Sequence, residues 1–281
     1  MFYFGAHASI SKGLLNAAKD IHASGGNLIQ IFLTSPRNRK VSKKSEPELK
    51  EFKEYLKKHN MKVVVHSSYL VNIARNWDYH SWWLKHLELE IEYTDKIDAF
   101  GLVVHFGNQL ELDKTEGYNN MFSSLLHVLN QTKKHSNVKI ILETTAGQGT
   151  EMCYKLEDLS HFFKKFSKCQ NNNVKDRIRL CIDTCHIFAA GYDIRNKDLV
   201  KYYLETFDEL IGLRYVALLH LNDSKCDVGC KKDRHENIGK GKIGLKGLSS
   251  FFKQFRKLEI PIILETPNEG YKKEIKMLKN L

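Results

Sequence analysis

In the run of residues 179–193, RLCIDTCHIFAAGYD, an apolar stretch stops at Asp183 and an imidazole follows at His186. Carboxylates and neutral imidazoles are both ligands of divalent cations, so their meeting at a strand end points to a metal site. The device recurs along the chain: seven of eight apolar runs close at or beside His7, His66, His105, Glu143, Asp183, His220 and Glu265. In DRHENIG, Asp233 and His235 stand two apart and share a side if the segment is extended, so they could clamp one ion with His186. The candidate ligands are thus His66, His105, Glu143, Asp183, His186, His220, Asp233, His235 and Glu265. Nine ligands exceed what one ion can hold with a position left for water, so two or three ions are expected. Burying this many titratable groups without cations would be very costly. The ring contains no cysteine, which favours an open catalytic site over a closed structural one. Ions about 3.5–4 Å apart suit phosphodiester hydrolysis, one stabilising the attacking hydroxide and another the leaving oxygen.

The elements that must position these residues alternate from one end to the other. Strand-like runs fall at 3–7, 28–33, 63–66, 102–105, 140–143, 178–183, 215–220 and 260–265. Helix-like runs fall at 14–23, 46–59, 79–100, 119–135, 156–168, 199–211, 247–257 and 271–281. Eight strand-then-helix units in about 250 residues predict a parallel sheet closed as an α/β (β/α)8 TIM barrel, with the active site at the C-terminal mouth of the strands. An open doubly wound sheet would spread the strand ends along a line too long to form one cluster. No composition break or Pro-rich linker interrupts the pattern, so residues 1–281 are expected to form a single barrel domain.

Composition is that of a globular protein, with 42% hydrophobic and 27% charged residues. No apolar run approaches the roughly 20 residues of a membrane helix, and the start MFYFGAHAS lacks signal-peptide character. An intracellular, soluble protein without membrane association is expected. The net charge of +11 favours a polyanionic partner. Seven of the thirteen histidines, His22, His59, His80, His86, His127, His135 and His161, lie in or beside helix-like runs and read as surface or packing residues. Cys226 and Cys230 read as a reduced loop pair, and the six cysteines imply no disulfide framework. GKGKIG at 239–244 fits a dinucleotide fingerprint but follows a polar loop rather than a strand, and AGQGT at 146–150 lacks a phosphate-binding lysine, so it reads as a turn.

The stretches GAHASISKG at Gly5, HSSYLVNIA at His66, ETTAGQG at Glu143, CIDTCHIFAAGYD at Cys181, HLNDSK at His220, DRHENIGKGKIG at Asp233 and ILETP at Ile263 together resemble the endonuclease IV family of apurinic/apyrimidinic endonucleases. The resemblance implies a (β/α)8 barrel with three zinc ions that cuts double-stranded DNA 5′ to an abasic site, leaves a 3′-hydroxyl, and also removes blocked 3′ ends. It assigns His66, His105 and Glu143 to one zinc, and Glu143, Asp183, His220 and Glu265 to a second. His186, Asp233 and His235 fall to the third. Glu143, Asp183 and Glu265 become the carboxylates of the catalytic centre, with hydroxide rather than a side chain as nucleophile. Arg37 and Tyr69 align with residues that push into the duplex at the lesion, and His7 would lie near the phosphates. Phe106, Gly107, Asn108 and Gln109 replace the Pro-Gly-Ser-His of some relatives. The expected state is a monomer.

Two other functions fit parts of the pattern. A barrel sugar isomerase or epimerase would need about four ligands for its one or two metals and would leave Asp233 and His235 idle. A basic DNA-binding module with structural metals fits the charge but not the open, cysteine-free ligand set.

Overall fold

The computed structural model describes residues 2–34, 36, 39 and 44–280. Eight parallel strands close into a barrel: β1 (Phe4–His7), β2 (Leu28–Phe32), β3 (Lys62–His66), β4 (Gly101–His105), β5 (Lys139–Glu143), β6 (Ile178–Asp183), β7 (Val216–His220) and β10 (Ile262–Leu264). Between β7 and β10 in the chain, β8 (Asp223–Ser224) and β9 (His235–Glu236) form a two-stranded antiparallel ribbon. The helices that return the chain are α1 (Leu14–Ala23), α2 (Glu46–Lys58), α3 (Trp82–Lys96), α4 (Lys114–Gln131), α5 (Leu156–Ser167), α8 (Lys197–Leu210), α9 (Gly244–Lys257) and α10 (Tyr271–Lys279). The expected closed barrel is therefore what the chain forms.

Period-2 alternation sorts the strand residues between two cores. Leu28, Val64, Val103, Ile141, Cys181, Leu218 and Ile263 pack together as a layer inside the barrel, while their neighbours join the larger core under the helices. At Gly5 an added Cβ would lie 1.7 Å from the Leu28 carbonyl oxygen, so only glycine lets β1 approach β2 this closely. At the far end, Arg177 is buried and donates to the Val138, Leu129 and Thr132 carbonyls, satisfying chain ends where α4 stops.

Two helix bounds expected from the sequence are corrected, and two short helices are added. The helix expected at 79–100 spans only Trp82–Lys96, because Asp78 accepts bonds from the His80 amide and the Ser81 hydroxyl in a turn just ahead of it. That expected at 119–135 begins earlier, at Lys114, where Asp113 and Glu116 form a reciprocal capping box. In the asparagine run at 171–173, Asn171 caps the short helix α6 (Asn172–Lys175). Residues after Asp183 turn directly into α7 (Thr184–Ala190), since Asp183 Oδ1 accepts the His186 amide at 2.8 Å and Gly191 closes the helix at φ 117°.

Candidate metal centre

Each strand-end ligand sits two residues beyond a member of the inner layer: His66 after Val64, His105 after Val103, Glu143 after Ile141, Asp183 after Cys181, His220 after Leu218, Glu265 after Ile263. All six therefore point into the barrel axis at its C-terminal mouth. Register then sets neighbours side by side, with His105 opposite Glu143 and Asp183 opposite His220. The second pairing depends on a bulge at Leu180/Cys181, where β7 gains one residue on β6. Without that shift Asp183 would face Leu219.

The ligand atoms gather into overlapping groups: His66, His105 and Glu143; Glu143, Asp183, His220 and Glu265; and Asp183, His186 and His235. Glu143 Oε2 lies 3.3 Å from His66 Nε2 and 3.2 Å from His105 Nε2. Asp233 Oδ1 lies 3.2 Å from His186 Nε2 and 3.1 Å from His235 Nε2. For a tetrahedral ion with bonds of about 2.0–2.1 Å, ligand atoms stand about 3.3 Å apart, which these separations match. His186 Nε2 and His235 Nε2 are buried yet make no hydrogen bond of acceptable geometry, as lone pairs aimed at a shared cation would not. The donor set fits divalent metal ions.

The imidazoles are oriented from behind. His66 Nδ1 donates to the Ser67 carbonyl and His186 Nδ1 to the Thr144 carbonyl, each at 2.8 Å, which leaves both Nε2 atoms toward the centre. His220 is turned the other way. Its Nε2 donates to Gln30 Oε1 at 2.8 Å, so Nδ1 faces Glu143 Oε1 at 2.8 Å and Glu265 Oε2 at 3.2 Å. Gln30 also donates to Glu265 Oε1 at 2.6 Å, and Asn222 donates to Asp183 Oδ2 at 2.7 Å while accepting the Glu265 amide. Neither Gln30 nor Asn222 was singled out in the sequence. Gln30 could have been, because it is the one amide within the apolar strand LIQIF and falls two residues after the inward Leu28.

Protein charges alone already polarise the cluster. Burial penalises the Glu143 carboxylate, yet His220 and His105 outweigh it and hold the acid well below its usual range. Against burial, Asp183 and Asp233 raise His186 well above its ordinary value, and they raise His235 to about 9. Cys185 approaches Asp233 and His235, a neighbour the sequence did not suggest. Burial pushes its thiol up to about 12.

Both glycine motifs have structural employment here. Asp223, at the head of β8, accepts amides from Gly239, Gly241, Ile243 and Gly244, so GKGKIG wraps a carboxylate of the protein itself. In AGQGT, Gln148 Oε1 accepts the Asp233 amide at 3.2 Å and supports the loop that carries this ligand.

Around the mouth, Tyr69 is 56% exposed, and its ring packs on Phe32, His66 and His105 at 5.2, 5.6 and 5.7 Å. His7 packs on Phe32, and its Nδ1 stands 3.1 Å from Gln30 Nε2. Burial lowers this imidazole to about 4 despite Glu265, so it is neutral. Arg37 lies outside the described residues. Between β7 and α9 the chain carries Lys225, Lys231, Lys232, Arg234, Lys240 and Lys242, a basic rim beside the carboxylates. No helix among the described residues is long and apolar enough to cross a membrane.

Residues 18–281 match the family described as xylose isomerase-like TIM barrel. Over 289 aligned positions the chain is 36% identical to a probable endonuclease 4 of Campylobacter fetus subsp. fetus, covering 100% of this chain and 99% of that one. It superposes on the crystal structure of endonuclease IV from Thermus thermophilus with a TM-score of 0.82 and 28% identity, covering 99% and 98% of the two chains. A D-tagatose 3-epimerase-like protein shares the fold at a TM-score of 0.72 and 18% identity, covering 99% of this chain and 96% of that one. With a full-length match to endonuclease 4 sequences on this barrel, the chain belongs to the endonuclease IV family.

Proposed function

We propose that this protein is a metal-dependent apurinic/apyrimidinic endonuclease of base-excision repair. It hydrolyses the phosphodiester 5′ to an abasic site in double-stranded DNA, leaves a 3′-hydroxyl, and clears blocked 3′ ends with the same centre. The observation that carries the reading is Glu143, whose two oxygens belong to two different ligand groups. A carboxylate shared in this way would hold cations in both groups.

The centre takes three zinc ions in this reading. His66 and His105 would hold the first with Glu143; Asp183, His220 and Glu265 would hold the second with Glu143; His186, Asp233 and His235 would hold the third. When bound, such ions would supply Lewis acidity toward the phosphodiester and activate water at neutral pH. The rest is the protein's work. Gln30 fixes His220 and Glu265 together, and Asn222 ties Asp183 to the Glu265 backbone. Neutral His7 accepts at Nδ1 from Gln30, so its Nε2–H is the atom that donates to a backbone phosphate. Tyr69 offers a ring seated on two ligand imidazoles, with more than half its surface open, and stacks in the gap left by the missing base. Arg37 enters the same gap, and the rim lysines neutralise flanking phosphates.

Residues 1–281 act as one barrel domain and a monomer, in a compartment that contains DNA. The reading is tested with a duplex that carries a tetrahydrofuran abasic analogue. The expected product is a single nick on the 5′ side with a 3′ end that a polymerase extends, and an intact strand after incubation refutes it.

A further inference from the structure

A second buried acid stands outside the metal set. Glu90, on α3, is fully buried, where a carboxylate is tolerated only if its oxygens are satisfied. They are, and by three separate pieces of chain. Thr34, two residues past β2, donates to Oε1 at 2.8 Å, and the Ser68 amide donates to the same oxygen at 3.2 Å. The Ser67 hydroxyl donates to Oε2. His86, one turn back on α3, brings Nε2 to 3.2 Å from Oε1.

Ser68 passes this anchorage on. Its hydroxyl donates to the Pro36 carbonyl at 3.1 Å and accepts the Leu70 amide at 3.2 Å, while its own carbonyl accepts the Val71 amide. One carboxylate thus fixes two things: the turn that presents Tyr69 and the exposed Leu70, and the point at which the chain leaves β2 just before Arg37 in sequence. The same face of α3 continues outward, where Trp82 packs edge-on against His86 at 6.0 Å and Arg39 lies 4.8 Å over the Trp82 ring. Residues 82, 86 and 90 are spaced four apart, one above another on a helix. A packing role alone would be met by an apolar residue at position 90. Converging hydroxyls and an amide from two mouth loops on one acid instead define a joint.

We propose that Glu90 is a positioning residue for lesion recognition, holding the Tyr69 turn against Thr34, at the exit of β2, in one fixed arrangement before DNA arrives. Pre-ordering the Tyr69 turn removes its ordering cost from the binding step. The proposal rests on Tyr69 being a duplex-contacting residue.

The test compares wild type, Glu90→Gln, Ser68→Ala and Tyr69→Ala as metal-loaded full-length proteins, alone and in the Glu90→Gln/Tyr69→Ala combination. Two substrates are used: an abasic duplex, and bis(p-nitrophenyl) phosphate, which needs the metals but has no duplex to wedge. Glu90→Gln and Ser68→Ala are expected to raise KM for the abasic duplex and lower the abasic-to-intact binding ratio by about tenfold, with hydrolysis of the small diester retained. On the Tyr69→Ala background, Glu90→Gln should then add little. If Tyr69→Ala weakens lesion selection while Glu90→Gln and Ser68→Ala leave it intact, the joint is refuted and the reading of Tyr69 survives. If Tyr69→Ala is itself silent, that reading fails and the proposal fails with it. A matching loss on the small diester places the effect at the metals through His66 and also overturns the proposal. Should Glu90→Gln not fold, Thr34→Val takes its place in the same comparison, since it keeps the shape of the side chain and removes the hydroxyl that donates to Glu90 Oε1.

Discussion

Glu143 brings Oε1 to 2.8 Å from His220 Nδ1, while its other oxygen faces His66 and His105. One side chain therefore joins two ligand groups. Glu143→Gln removes a charge from both and puts a donor where a ligand was. Incision should fall by at least about 100-fold, beyond what loss of an outer partner costs, and metal content by elemental analysis should drop by more than one ion per chain. A variant that keeps its full metal complement would show that the carboxylate is not shared.

Gln30 is a different case, because it touches no metal in this account and acts by holding His220 and Glu265. Gln30→Leu keeps the volume but removes these bonds and the one to His7, leaving His220 Nε2 without its acceptor. A loss of about 10–100-fold in activity or metal affinity is expected. Unchanged affinity in a competition titration against a chromophoric chelator would show that the ring is oriented by packing alone.

The site was legible in sequence to different depths. Its strand-end ligands could be read because each closes an apolar run, and in a parallel barrel every run ends at the same mouth. Asp233 and His235 sit just before and at the start of β9, on a segment whose course depends on the Asp223 carboxylate and on Gln148, contacts far apart in sequence. What suggested them was spacing alone. Asn222 gave no signal, since a polar residue after a strand is ordinary. Helix α7 was missed because Asp183 both ends β6 and caps the helix, and strand and helix share that residue. His86, read as a packing residue, is buried as expected but against Glu90 rather than in apolar surroundings. Likewise, the β6–β7 bulge that aligns Asp183 with His220 leaves no mark in the residue pattern.

Protonation of the stripped protein gives a prediction with a sign. Burial opposes it, but Asp183 and Asp233 raise His235 from 6.5 to about 9. A folded value above the unfolded one means that this contribution to stability is complete below about 6.5 and is lost as pH rises through about 9. Cation uptake must also expel the proton, so affinity should strengthen with pH up to about 9. Calorimetric titration of zinc into chelator-treated protein, in buffers of different ionisation enthalpy, should show proton release near neutral pH that fades in alkali. Release that does not depend on pH would contradict the assignment.

The central claim is that one centre built on Glu143 requires several ions together to cut at an abasic site. It is tested most directly by returning zinc stepwise to chelator-stripped protein while following 5′ incision of a tetrahydrofuran-containing duplex. The account predicts negligible incision at one equivalent and full incision only as the third is bound, whereas full activity with a single ion per chain would contradict it.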